Sequence, residues 1–233
     1  MKKYKYNIDS GERQIPCIEY INGDVKRVIV ALHGFGGDKD SSAIRRLAEA
    51  AGNTATVAFD FPAHGDSTAA DSELLVENCI DDFIRVNSFA REKYPDADMC
   101  YFATSFGGYI LLLSENAIAV DAKIVLRAPA VRMDDTFLSV ICRCTEDELL
   151  IKGSAECGFE RKIDVSYDYY LGLKNNCAIE KMISREMLII YGDRDDVVSS
   201  YHIDEFVKNI YRQNFLWFAE RITDLKEKAN LKA

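Results

Sequence analysis

A serine in a predicted tight turn is the residue best placed to do chemistry in this chain of 233 residues. Ser105 follows an apolar, strand-like run at 99–103 and precedes a helix-like run at 109–113. The small residues Ala103 and Gly107 flank it where a sharp strand-to-helix turn leaves no room for bulk. This arrangement predicts a nucleophile elbow, a turn that lifts a serine oxygen out of a sheet so that it can attack a carbonyl carbon.

A carbonyl under attack needs N–H donors for the oxyanion that forms, and two backbone groups are candidates. The Phe106 N–H directly follows the serine. The Phe35 N–H lies in the loop 33–37, His-Gly-Phe-Gly-Gly, whose glycines let the backbone turn after a predicted strand. We predict that His33 holds this loop in place rather than acting as a base.

Two more polar loops follow predicted strands. The loop 60–67, Asp-Phe-Pro-Ala-His-Gly-Asp-Ser, is expected to form one wall of the site, with His64 bracing it. After an apolar run at 187–191, Asp195 is best placed to orient a histidine and to stabilise its charged form. Its neighbours Asp193 and Asp196 are interpreted as turn or surface residues.

Alternating strand-like and helix-like patterns indicate how these loops are brought together. Strands are expected at 15–21, 25–32, 54–61, 99–103, 122–126, 187–191 and 215–218, and helices at 41–51, 71–93, after Ser105, at 201–211 and at 221–231. The pair Asn22-Gly23 predicts a hairpin between the first two strands. Short apolar strands separated by helices indicate a mostly parallel sheet covered on both faces, with the site at the carboxyl ends of the strands.

Composition and charge disfavour several classes of protein. A net charge of −9 argues against a nucleic-acid partner. No apolar run is long enough to span a membrane, and the basic start lacks the apolar stretch of a signal peptide, so we expect a cytoplasmic protein. Monomer and homodimer both stay open.

Seven scattered cysteines predict reduced thiols rather than a disulfide framework. The Cys142-Arg143-Cys144 motif has no second pair or histidine at zinc spacing. We interpret the two cysteines as buried thiols, with a metal site as the weaker alternative.

The loops occur in an order that resembles a known superfamily. The loops 33–37 and 60–67, the Ser105 elbow, Ala-Pro-Ala at 128–130 and Gly-Asp-Arg-Asp at 192–195 look like those of the α/β-hydrolases, in particular the small carboxylesterases of the feruloyl/cinnamoyl esterase and monoacylglycerol lipase type. The resemblance covers about residues 25–210. It implies an α/β fold with a mostly parallel central sheet, helices on both faces and a short helical cap.

The resemblance also implies a function and a set of roles. Ser105 would be the nucleophile of a carboxylic ester hydrolase, Asp195 the triad acid, and the Phe35 and Phe106 N–H groups the oxyanion donors. A small-molecule ester is the implied partner, with no cofactor and no metal.

The implied domain organisation is a core of residues 1–130 and 186–233 with a cap of residues 131–185 that selects the acyl or alcohol group. The cap carries aromatic residues that could line an apolar pocket or pack in the core: Phe137, Phe159, Tyr167, Tyr169 and Tyr170.

The resemblance places a histidine base in the loop after the last strand. Here no histidine follows His202, and Arg221 stands near the expected position. An arginine stays protonated at neutral pH and cannot take the serine proton. Removing the histidine of a triad costs about 10⁶ in turnover, so the location of the base decides whether the chain is an enzyme.

Three interpretations of the missing base stay open. In the first, His202 replaces it and lies within hydrogen-bond reach of Ser105 or Asp195. In the second, the chain is a catalytically impaired hydrolase that binds a small ligand without turnover. In the third, the tail from Phe218 to Ala233 is divergent or frameshifted.

Overall fold

Eight strands form one central sheet in the part of the chain that this computed structural model describes, residues 1–11, 13–181, 185–213 and 218–221. The strands are β1 (Lys2–Asp9), β2 (Gln14–Asn22), β3 (Arg27–Leu32), β4 (Thr54–Phe59), β5 (Asp98–Thr104), β6 (Lys123–Arg127), β9 (Met187–Tyr191) and β10 (Phe218–Arg221), while β7 (Ser154–Cys157) and β8 (Ile163–Ser166) pair separately. The helices are α1 (Ser42–Ala50), α2 (Val76–Lys93), α3 (Phe106–Leu113), α4 (Met133–Thr136), α5 (Glu146–Lys152), α6 (Tyr167–Asn175) and α7 (Ser200–Gln213). Short 3-10 turns lie at Asp71–Glu73, Glu115–Ala117 and Ala178–Glu180, and a π-helix at Phe137–Cys142.

The strand order places the end of β3 beside the end of β5. The order is β1-β2-β4-β3-β5-β6-β9-β10; β1/β2 and β2/β4 pair antiparallel, and every pair from β4 to β10 is parallel. The chain runs from β3 outward to β4 and then returns to the other side of β3 as β5. Such a switch point opens a crevice at the carboxyl ends of the strands, which is where an α/β sheet carries its site.

Both faces of the sheet are covered, because successive side chains of a strand point to opposite faces. Ala31 and Ala58 pack on one face with Ile44 of α1. Val30 and Val57 lie on the other face, in the larger core that includes α2 and α3. Strands buried on both sides explain the continuous apolar runs that predicted a parallel sheet.

The segment between β6 and β9, residues 131–185, is called the cap segment below. It contains α4, the π-helix, α5, the β7–β8 hairpin and α6. The cap segment contacts the core through specific bonds: Arg161 donates to the Gly65 carbonyl (2.9 Å) and Tyr109 of α3 donates to the Asn176 carbonyl (2.9 Å). The boundaries proposed from the sequence stay a prediction, and the segment has more strand structure than the helical insertion expected from it.

The predicted hairpin at Asn22-Gly23 is wrong. The β2 strand pairs with β1 and β4, and β4 separates it from β3. A turn is present, with Gly23 at φ 77°, but it does not pair β2 with β3. Gly23 instead lies against the residue before β4, where a Cβ on Gly23 would be 2.6 Å from the Asn53 side chain. The glycine lets the chain pass the start of β4 and enter the sheet one strand further on.

Two further differences concern the ends of the chain. The β1 strand was not expected, because Lys2–Asp9 exposes most of its charged side chains and has no apolar run. The expected helix at 221–231 falls outside the described residues except for its first residue, and the expected strand at 215–218 overlaps β10 only at Phe218. No helix in the described part is long and apolar enough to cross a membrane.

Candidate active site

Ser105 occupies a strained turn between β5 and α3. Its backbone has φ 51° and ψ −114°, a conformation that residues with a Cβ seldom adopt. Neighbouring strands hold the turn in place, since the Ser105 N–H donates to the Arg127 carbonyl (3.0 Å) and the Ala130 N–H donates to the Ser105 carbonyl (3.1 Å). The side chain is partly exposed, so a reactant can reach the hydroxyl.

Gly107 allows the loop after β3 to lie against the turn, and Gly34 of that loop lies near the serine. A Cβ on Gly107 would lie 2.6 Å from the His33 carbonyl oxygen and 2.7 Å from the Leu32 Cβ, so only glycine fits there. A Cβ on Gly34 would lie 3.4 Å from the Ser105 Cβ and 4.0 Å from its Oγ. A side chain at position 34 would therefore be in van der Waals contact with the serine side chain.

Among the described residues, the two expected oxyanion donors have N–H groups without a recorded backbone partner outside the helices and strands. Phe106 is the first residue of α3, and the N–H groups of a first helical turn have no partner within the helix. Phe35 lies in a turn closed by the Gly37 N–H donating to the Gly34 carbonyl (3.0 Å). Within the described residues, neither the Phe35 nor the Phe106 N–H donates to another backbone group outside the helices and strands.

His33 is buried and holds two loops together. Its Nε2 accepts from the Phe61 N–H (3.3 Å), so Nδ1 carries the proton and donates to the Gly34 carbonyl (2.8 Å). Burial lowers the pKa of His33 to about 4, which keeps the ring neutral at physiological pH. These contacts agree with the bracing role predicted for it.

A buried ion pair completes this brace. Asp60, at the end of β4, accepts from the Lys39 N–H (2.7 Å) and from the Asp66 N–H (2.7 Å), and it pairs with the Lys39 ammonium group. Lys39 is 3% and Asp60 1% exposed. A Cβ on Gly65 would overlap the Asp60 carboxylate. Sequence reasoning missed this pair, although an aspartate directly after a buried strand was a signal for it.

His64 is fully buried among aromatic rings. Its Nδ1 lies 2.8 Å from the Pro62 carbonyl, while Nε2 has no hydrogen-bond partner among the described residues. The ring centroid lies 5.1 Å from that of Phe35 and 6.4 Å from that of Phe106. Burial, followed by the nearby His33, lowers the pKa of His64 to about 3, so this ring is a weak base.

Asp195 caps the turn that leads into α7. One carboxylate oxygen, Oδ1, accepts from the N–H groups of Val197 and Val198, both at 2.9 Å. Sharing one oxygen between two N–H groups is typical of an aspartate that shapes a turn.

His202, near the start of α7, faces the cap segment. Its Nε2 lies 3.8 Å from Asp135 Oδ2, and its side chain is 17% exposed. All three imidazoles of the chain belong to described residues, and no hydrogen bond in the described part joins any of them to Ser105 or joins His202 to Asp195. The role of His202 as base stays a prediction. Asp135 was missed because a contact between the cap segment and α7 has no local signal.

Aromatic side chains of the cap segment close over the expected donors. Tyr169 lies 6.3 Å from Phe35 and 6.2 Å from Phe106 between ring centroids, and Phe137 lies 6.2 Å from Phe35. Tyr169 and Phe137 are fully buried, so they pack in the core, whereas Phe159 is 44% exposed.

No group of three or more His, Cys, Asp or Glu residues in the described part of the chain is arranged to hold a metal ion.

The sheet order, the switch point and the strand–serine–helix turn define an α/β-hydrolase fold, as the sequence resemblance predicted. The chain belongs to the family described as serine aminopeptidase, S33, whose model matches residues 23–150. No curated protein matches the sequence.

Solved structures agree on the fold. The chain is similar to Est1E from Butyrivibrio proteoclasticus with ferulic acid bound, at 16% identity and a TM-score of 0.76 over 97% of this chain and 95% of that one. It is similar to α/β hydrolase domain-containing protein 10 from mouse (13% identity, TM-score 0.70, 94% and 88% covered) and to an esterase from Pyrococcus furiosus (14%, 0.68, 99% and 86%). At these identities the likeness establishes the fold alone.

Proposed function

We propose that this chain is a serine hydrolase that cleaves a small carboxylic ester through an acyl-serine intermediate. The observation that carries the proposal is the strained, partly exposed Ser105 at the carboxyl end of β5, with Gly34 of the loop after β3 near it. A backbone strained in this way costs about 1–3 kcal/mol and persists only where surrounding structure enforces it. Two solved relatives of the same fold, Est1E with ferulic acid and the Pyrococcus esterase, support an ester as the substrate class.

The proposed reaction has two halves. Ser105 Oγ attacks the ester carbonyl and its proton passes to a base, while the Phe35 and Phe106 N–H groups donate to the oxyanion. The carbon–oxygen bond to the alcohol breaks, the alcohol takes the proton, and an acyl-serine remains. Water then attacks the acyl carbon by the same route, which releases the acid and restores the serine hydroxyl.

His202 is the proposed base because the other two imidazoles are unsuitable. Buried His33 and His64 have pKa values lowered to about 4 and 3, and His33 has both nitrogens engaged. His202 is partly exposed and follows β9 at the same edge of the sheet as Ser105. Its Nε2 now faces Asp135, so catalysis requires the ring to turn toward Ser105, with Asp195 as the proposed orienting acid.

A binding protein on the same scaffold is the second candidate. It is favoured by one observation: among the described residues, the Ser105 hydroxyl has no hydrogen-bond partner. A serine without a base is a poor nucleophile at neutral pH.

Labelling with a fluorophosphonate probe, followed by intact-mass measurement, separates the two candidates. We expect one adduct per chain within minutes, lost in Ser105→Ala and kept in Ser88→Ala, which removes an exposed serine of α2. Hydrolysis of p-nitrophenyl acyl esters should disappear in the same variant. Absence of labelling over hours in folded protein would sink the hydrolase proposal and leave the binding protein.

A further inference from the structure

Three cysteines of the cap segment bring their sulfur atoms together. Cys157 Sγ lies 2.7 Å from Cys142 Sγ, and Cys142 Sγ lies 3.1 Å from Cys144 Sγ. A disulfide bond is about 2.05 Å long, so each pair is within 1.1 Å or so of bonding distance. Cys142 is central and touches both neighbours. The sequence motif indicated only Cys142 and Cys144, because Cys157 lies in a different element, at the end of β7.

The sulfur spacing fits exchange between thiols better than a shared metal ion. Thiolates on a tetrahedral zinc, each about 2.3 Å from the metal, are separated by about 3.8 Å. Both observed separations are shorter, in agreement with the absence of a metal-binding group in the described part of the chain. The other four cysteines make no sulfur–sulfur contact there: Cys17, Cys79, Cys100 and Cys177.

We propose that Cys142, Cys144 and Cys157 form a redox-active thiol site that reacts with low-molecular-weight disulfides and ends as a Cys142–Cys157 disulfide. In the overall reaction one sulfur–sulfur bond of the small disulfide breaks and one forms in the protein. The small disulfide takes two electrons and both thiol protons, leaving as two thiols.

Accessibility sets the order of steps. Cys144 and Cys142 are partly exposed, whereas Cys157 is 1% exposed. The Cys144 thiolate attacks the small disulfide and releases one thiol, and Cys142 then attacks Cys144 Sγ and releases the second. Finally Cys157 attacks Cys142 Sγ, and Cys144 leaves as a free thiol. Cys144 is thereby regenerated as a thiol, and the disulfide remains between Cys142 and the buried Cys157.

The final bond would join two elements that lie beside the candidate active site. The π-helix and β7 already meet, because the Gly158 N–H donates to the Ile141 carbonyl (3.2 Å). A Cβ on Gly158 would lie 3.7 Å from the Phe35 ring. The disulfide would therefore fix the cap segment next to an expected oxyanion donor.

The environment makes the exchange slow at neutral pH. Burial raises the pKa of Cys142 and of Cys144 to about 11, and burial also raises the pKa of Cys157. Charged groups around the three sulfurs are mixed in sign: Lys152, Glu148, Lys162 and Asp164. Because the thiolate is the attacking species, the rate should rise about tenfold per pH unit from 7 to 9.

Peptide mapping after oxidation tests the site directly. The full chain is incubated with oxidised glutathione, free thiols are blocked in acid, and the unreduced protein is digested with trypsin. Cleavage after the exposed Arg143 puts Cys142 and Cys144 on different peptides, and cleavage after Lys152 separates Cys157. We expect one dominant cross-linked pair, Cys142 with Cys157, and an intact mass, measured before blocking, that is lower by two hydrogen atoms.

Variants define each role. Cys142→Ala should abolish the cross-link and leave glutathione on Cys144, Cys144→Ala should slow its formation at least tenfold, and Cys177→Ala should change nothing. Glutathione adducts without a cross-link in the wild type would overturn the proposal, and so would a cross-link to any cysteine outside the three. The wild-type map decides even where a variant fails to fold.

Discussion

The two sides of the candidate site are held very differently. On the nucleophile side, Ser105 sits in a strained turn that β6 and the loop after β3 enforce, and His33 and Asp60 tie that loop to the next. On the acid–base side, Asp195 bonds within its own turn, and His202 faces Asp135 of the cap segment. The contacts around Ser105 hold its backbone in one geometry, whereas Asp195 and His202 make their contacts with other groups and not with Ser105 in the described part of the chain.

This difference indicates where catalytic control would reside. Under the proposed function, the geometry for attack by Ser105 would be pre-organised, so the site would spend no free energy on rearranging its N–H donors as charge develops. Under the proposed function, proton transfer would require the His202 ring to leave Asp135 and turn toward Ser105. Under the proposed function, the cap segment therefore competes with the serine for the base.

The largest expected effect tests that competition. Asp195→Asn keeps an oxygen for the Val197 and Val198 N–H groups but removes the charge that would orient His202, so fluorophosphonate labelling of Ser105 should fall about 10⁴-fold. Labelling of the His202→Asn variant should fall at least as far. Asp135→Asn should leave labelling unchanged or raise it up to about threefold, because it releases the ring.

The opposite ranking would be informative. If Asp135→Asn abolished labelling and Asp195→Asn did not, the cap segment would supply the triad acid. Folded protein in each variant is checked by circular dichroism, so that loss of labelling is not loss of structure.

The next effect concerns the rigidity of the nucleophile side. Gly107→Ala places a Cβ against the His33 backbone oxygen and the Leu32 side chain, and α3 must move away from β3. We expect the free energy of unfolding in urea to fall by about 3 kcal/mol. Gly52→Ala is the matched control, since a Cβ there meets nothing within 4 Å. Equal stability of the two variants would show that the turn is looser than the contacts indicate.

The same contrast explains what the sequence could predict. The Ser105 turn and the loop at 33–37 depend on small residues next to each other along the chain, and local patterns report such geometry well. The fold class followed from the alternation of strands and helices and is confirmed by the sheet order. The contact of His202 with Asp135 and that of Cys142 with Cys157 depend on how the cap segment folds back, which no local pattern encodes.

The hairpin error has the same origin. The Asn22-Gly23 pair correctly signals a turn, but the partner of β2 is chosen by packing across the sheet. The edge strand β1 escaped notice because an exposed, charged strand lacks the apolar pattern on which strand prediction depends.

The third prediction uses pH to probe the brace on the nucleophile side. The pKa values of His33 and His64 in the fold lie below the usual 6.5, so the unfolded chain takes up protons first as pH falls. The contribution of each ring is complete above pH 6.5 and is lost as pH falls, down to about pH 4 for His33 and about pH 3 for His64, at up to about 1.4 kcal/mol per pH unit. The free energy of unfolding, measured in urea at half-unit steps, should fall accordingly.

His64→Phe should remove about half of this slope. Burial raises the pKa of Asp82 to about 6 despite its ion pair with Arg13. This raised pKa stabilises the fold as pH falls, so Asp82 opposes the loss of stability caused by the two histidines. Asp82 is common to the wild type and to His64→Phe, so the difference in slope between these two proteins isolates the His64 imidazole. Identical slopes in wild type and His64→Phe would mean that the pKa of His64 is the same in the folded and the unfolded chain.

The smallest effect compares the two sides by truncation. Ser105→Gly should raise the free energy of unfolding by about 1 kcal/mol relative to Ser105→Ala, because glycine tolerates φ 51° while alanine keeps the Cβ that is strained there. Asp195→Ala should lower stability by about 1 kcal/mol, since two N–H groups lose their acceptor. The two changes in the free energy of unfolding are expected to have opposite signs, because the Ser105 backbone is strained whereas the Asp195 carboxylate accepts from two N–H groups of its turn. If Ser105→Gly were no more stable than Ser105→Ala, the Ser105 backbone would carry no strain. The two sides of the site would then differ only in their hydrogen bonds.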